Sequence, residues 1–71
     1  MIIKETVTYK PQRLFEVFHN SEEWWDINDS PFPCLNRDEA KRMAEEWINN
    51  RPEREGIPTR IIKVTTIEET L

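Results

Sequence analysis

The sequence predicts an α+β fold: a three-stranded antiparallel meander, one helix over about 36–50 packed on one sheet face, and a C-terminal strand over about 59–67. Three observations predict it. Apolar and polar residues alternate near both ends, in IIKETVTY and TRIIKVTTI, which is the period of a strand. Between them NRDEAKRMAEEWINN switches to helical spacing. Polar or proline-rich punctuation, NSEE, DSPFP and RPEREGIP, separates the segments. A helix over one face of an antiparallel sheet is the economical way to bury both kinds of apolar stripe.

In residues 2–9, Ile3, Val7 and Tyr9 share one face, and Thr6 and Thr8 lie on the other. Residues 13–19, RLFEVFH, are read as a second strand because Phe-Glu-Val-Phe is aromatic and β-branched. Leu14, Val17 and Phe18 also suit a helix begun by Pro11, so a helix over 13–25 is the alternative. Asn20 to Glu23 turns the chain into a third strand, Trp24 to Ile27. Asp29, Ser30, Pro31 and Pro33 mark an irregular loop. The helix is then written twice over. Ala40, Met43, Ala44, Trp47 and Ile48 form one face, and Asn36 is an N-cap with Glu39 three residues later. Leu35 is placed to fold onto Ala40, and Asp38 to pair with Arg42. Asn49, Asn50 and Pro52 end the helix; residues 51–58 connect it, through the only glycine, Gly56, to the last strand.

The 71 residues suit a single domain, 1–71, whose small core leaves a thin stability margin. Hydrophobic residues are 37% and charged residues 34%, a globular balance. No apolar run reaches the roughly 20 residues of a membrane helix, and MIIKETVTYK lacks the apolar core of a signal peptide. The single cysteine, Cys34, permits no internal disulfide. The expectation is a cytoplasmic protein with no membrane partner. A net charge of −4 disfavours nucleic acid, leaving a weak basic region of Arg51, Arg54, Arg60 and Lys63 set against Glu53 and Glu55.

The functional question centres on SEEWWDINDS, where two tryptophans stand among four acids. On a strand, adjacent side chains point to opposite faces, so one of Trp24 and Trp25 faces the helix and the other faces away. Because Ile27 extends the Trp25 face and Asp26 the Trp24 face, Trp25, Phe15 and Val17 are assigned inside. The uncovered face then carries Trp24, Phe18 and Leu14, with Ile61 and Lys63 beside them. Glu16, Glu22, Glu23 and Asp26 form an acidic rim. Aromatic anchors with a charged rim are what interfaces use. The competing arrangement folds DSPFPCL and the C-terminal tail over that face and makes both rings core.

Chemistry has little to stand on. DINDSPFPCLNR starts like a calcium loop at Asp26, Asn28 and Ser30, but Pro31 stands where glycine is needed and Arg37 where a bidentate glutamate is needed. One histidine, His19, and one cysteine make a poor zinc set. A triad written from Ser21, His19 and an acid is what chance supplies. Cys34, before a helix cap but with no base to pair it, reads as a small packing residue. The protein is expected not to be an enzyme and to need no cofactor and no metal.

The stretches FEVFHNSEEWWDI, SPF, NRDEAKRMAEEWI and TRIIKVTTIEE together resemble a loose group of small uncharacterised α+β proteins encoded by phages and mobile elements. The resemblance covers about residues 13–69 and implies no catalytic residues. It suggests a viral protein that binds and inhibits host or defence machinery. The functional expectation is a small acidic protein–protein interaction module that binds another protein or a second copy of itself. The alternatives are a nucleic-acid-associated protein using the basic 51–63 region, or a homodimeric structural protein with no separate activity.

Overall fold

The structure, a computed structural model, describes residues 1–17 and 21–71. It contains β1 (Ile2–Val17), β2 (Ser21–Asp26), α1 (Arg37–Asn49) and β3 (Thr59–Glu69), with a short 3-10 turn, Pro52–Arg54, after the helix. The strands form one open antiparallel sheet in the order β2-β1-β3, and α1 packs against it. The helix on an antiparallel sheet and the C-terminal strand are as the sequence predicts.

The segments 2–9 and 13–19 are not separate strands, however. They join into one strand of 16 residues that ends at Val17; Phe18, His19 and Asn20 lie outside the described residues. Proline normally interrupts a central strand because it cannot donate to the ladder. Pro11 escapes that cost by its position. Its carbonyl accepts from the Ile27 amide at 2.9 Å, where β2 gives way to the loop. Only the reciprocal bond to Ile27 is lost. Two residues earlier, the Tyr9 amide donates to the Cys34 carbonyl at 3.0 Å instead.

Asn36 caps α1, its Oδ1 accepting from the Glu39 amide at 2.7 Å. At the other end the Arg54 Nη1 donates to the Trp47 carbonyl at 2.8 Å, satisfying an orphan acceptor. Two local expectations fail. Leu35 is 70% exposed rather than folded onto Ala40. Arg42 reaches forward to Glu46, at 3.9 Å on the exposed face, not back to Asp38.

Ala40 and Ala44, one turn apart, are 0% and 6% exposed. Their small side chains let the helix backbone approach the sheet closely. With Pro11 and Cys34 they make up the fully buried centre. That centre is small for a geometric reason. A helix of 13 residues is about 20 Å long, whereas a strand of 16 residues runs about 50 Å. The helix covers the middle of the sheet and leaves both ends bare.

The molecule measures 48 × 28 × 17 Å and has a radius of gyration of 15.0 Å, against about 11 Å for a compact chain of this length. Its accessible surface is 5945 Å², where a compact monomer of this mass exposes about 4,700 Å².

Candidate interaction surface

The strand registers assign every side chain to a face. Arg13 lies opposite Trp25, Pro11 opposite Ile61 and Tyr9 opposite Lys63. This is the helix side: the Arg13 guanidinium also sits over the Trp47 ring at 5.0 Å. The other face pairs Leu14 with Trp24, Glu16 with Glu22 and Gln12 with both Asp26 and Arg60. Farther along it pairs Lys10 with Ile62 and Thr8 with Val64. The helix does not pack on this second face. Phe32 of the loop and Leu71 of the tail do not fold onto it: they are 77% and fully exposed.

Five of the residues singled out from sequence, Leu14, Glu16, Glu22, Trp24 and Asp26, therefore share one uncovered face. Glu23 does not. It lies on the helix side, where its Oε2 accepts from the Trp25 Nε1 at 3.1 Å. Phe18 lies outside the described residues. Ile61 and Lys63 are also on the helix side, and Ile62 and Val64 take their place on the face of Trp24. Alternation within β3 was readable; its phase relative to β1 depends on a pairing of distant residues.

Each indole carries a guanidinium. On the uncovered face Arg60 lies over Trp24 at 4.3 Å, and its Nε donates to the Gln12 Oε1 at 2.8 Å. The Gln12 Nε2 in turn donates to the Asp26 Oδ1 at 2.8 Å. Asp26, Gln12 and Arg60 thus form one polar chain across all three strands, with Trp24 held flat beneath the cation. Such stacking is worth about 0.5–1 kcal/mol at a part-exposed site and fixes the ring's orientation. On the other face Arg13 contacts Phe15 at 5.2 Å, Trp25 at 5.4 Å and Trp47. Phe15 and Trp25 stack with centroids 4.3 Å apart. Trp25, expected inside, is 44% exposed because it lies on the helix's side beyond the helix's reach. Gln12 and Arg13 were not singled out from sequence, and no local pattern marks them; their roles come from the registers.

The four basic residues do not converge. Arg51 pairs with Glu53 at 3.8 Å, and Arg54 turns onto the Trp47 ring at 4.1 Å. Arg60 and Lys63 project from opposite faces of β3. The loop from Asp26 spends its polar groups on itself: the Asn28 Oδ1 accepts from the Ser30 amide at 3.0 Å, and the Asn28 Nδ2 donates to the Phe32 carbonyl at 2.9 Å. Cys34 is 1% exposed. Burial pushes its thiol above the ordinary range, and the Glu39 carboxylate adds in the same direction. Among the described residues, no three His, Cys, Asp or Glu side chains are grouped to hold a metal ion, and no helix is long and apolar enough to cross a membrane. No family model matches the chain, and the searches of curated proteins and of solved structures return no match.

Proposed function

We propose that the protein is an interaction module that binds a partner protein through the uncovered sheet face, with Trp24 and Leu14 as its apolar anchors. The reading rests on one observation: a tryptophan and a leucine lie directly opposite each other on a face that the helix does not cover. Trp24 is pre-oriented by Arg60, so little side-chain entropy is lost on binding. Glu16, Glu22 and Asp26 beside the anchors favour a partner with a basic patch. Inhibition of a host or defence component by such binding would need no chemistry from this chain.

The test is affinity capture from the native host with three forms of the protein: the parent, Trp24→Ala and Trp25→Ala. The reading expects a partner that the parent and Trp25→Ala retain and Trp24→Ala loses, since anchors of this kind cost at least about 2 kcal/mol when truncated. A partner held equally well by Trp24→Ala removes the proposal.

A further inference from the structure

The outer edge of β3 is self-complementary, and we infer that two copies of the chain pair antiparallel along it. This contact runs along an edge and shares only Arg60 with the Trp24 surface; it does not rest on that reading. β3 bonds β1 through its even-numbered residues. The Leu14 amide meets the Pro58 carbonyl at 3.0 Å, and the register runs on from there through Gln12–Arg60 and Lys10–Ile62. The amides and carbonyls of Ile61, Lys63, Thr65 and Ile67 therefore point outward, and β3 is the last strand on its side of the sheet.

Two identical edges meet antiparallel about a two-fold axis normal to the sheet, and that axis keeps each face continuous. β3 runs from Thr59 to Glu69, and its midpoint is Val64. Centred there, the whole strand pairs with its copy. Ile61 faces Ile67 of the second copy on the helix side. Arg60 faces Glu68 of the second copy on the uncovered side. Both pairs occur twice, and Val64 meets its own counterpart on the axis. Shifting the centre to Lys63 sets two ammonium groups against each other. Shifting it to Thr65 sets Ile61 and Ile62 against Glu69 and Glu68. The complementarity therefore selects one register.

Three further observations fit. Ile67 is 51% exposed in the single chain, although it lies on the face that carries the helix. Among the described residues, Arg60 has its Nε on Gln12 but makes no ion pair, and neither does Glu68. The chain exposes roughly 1,200 Å² more than a compact monomer would, and a standard protein interface takes about 800 Å² from each partner. Of the other open edges, β2 is acidic: centring on Trp24 sets Glu22 against Asp26, and centring on Glu23 opposes two like charges on the axis. On β1 before Tyr9, centring on Lys4 or Glu5 likewise opposes two like charges. The resulting dimer has one six-stranded sheet, both helices on the same side, and the two Trp24 surfaces on the other.

Cysteine cross-linking tests the register directly. Val64 and its counterpart form a non-hydrogen-bonded pair with Cα atoms about 4.5 Å apart, within disulfide range. Val64→Cys should oxidise rapidly to a covalent dimer. Ile62→Cys and Thr66→Cys should each stay uncross-linked alone, because each lies four residues, about 13 Å along the strand, from its own copy. Mixed together they should cross-link, since residue 62 faces residue 66. Native Cys34, 1% exposed, contributes no background. The parent should sediment at twice its 8.6 kDa mass. Glu68→Arg should weaken the dimer, and Arg60→Glu added to it should restore the dimer. A parent that stays monomeric up to its solubility limit overturns the inference. So does a dimer that cross-links through Trp24→Cys but not through Val64→Cys.

Discussion

Arg13 carries its charge from the sheet to the helix residue Trp47, and replacing it by methionine measures what that contact is worth. Methionine keeps an unbranched apolar stem along the sheet and removes the cation. The guanidinium lies 5.2, 5.4 and 5.0 Å from the ring centroids of Phe15, Trp25 and Trp47. A part-exposed cation–ring contact is worth about 0.5–1 kcal/mol. One cation serving three neighbouring rings does not deliver three independent terms, so the expected loss is about 1–2 kcal/mol. In a domain of this size each kcal/mol moves the thermal midpoint by about 4–8 °C, which places the Arg13→Met midpoint roughly 5–15 °C below the parent. Urea unfolding followed by indole fluorescence and by circular dichroism gives the free energy. A cycle with Trp47→Leu isolates the bond between sheet and helix, with an expected coupling of about 0.5–1 kcal/mol. An unchanged midpoint for Arg13→Met, or zero coupling to Trp47, refutes the reasoning.

Three other perturbations have clear expectations. Asn36→Ala removes the 2.7 Å bond to the Glu39 amide and should cost about 1 kcal/mol in denaturant unfolding, with Asn36→Ser close to the parent. Gly56 holds φ at +85° with open space where a Cβ would stand. Gly56→Ala should therefore destabilise by about 1–2 kcal/mol through backbone strain alone, and Gly56→Asn by less. The raised Cys34 thiol sets a pH dependence. Above the ordinary thiol range, about 8.5, the unfolded chain loses its proton before the folded one does. Stability is then fully present below that pH and falls as pH rises toward the folded value. Cys34→Ala should flatten this alkaline decline in a pH series of melts, and the native thiol should react with a disulfide reagent only on unfolding.

The helix was legible because its signals are local. Asn36 caps a segment whose apolar residues recur at helical spacing, and each part can be read within one turn of the next. The opposition of Trp24 and Trp25 was legible too, because alternation belongs to any strand. What sequence could not supply was phase. Ile61 and Ile62 are adjacent and alike, and only the pairing of Arg60 with Gln12, 48 residues away, decides which one shares a face with Trp24. The same pairing lays Arg60 on the indole, where sequence had grouped it with Arg51 and Arg54. Pro11 misled in a related way. Read locally it offers the start of a helix; in the sheet its missing donor falls where a neighbour is already leaving.

That placement has a consequence for register. A strand sliding past its neighbour by one residue turns every side chain to the opposite face. Here β2 cannot advance along β1 without drawing the one position unable to donate into the body of the ladder, and without displacing Cys34 from the Tyr9 amide. The imino ring therefore acts as a ratchet tooth. By halting the hairpin where it does, it decides which indole lies on the helix side of the sheet and which on the uncovered face.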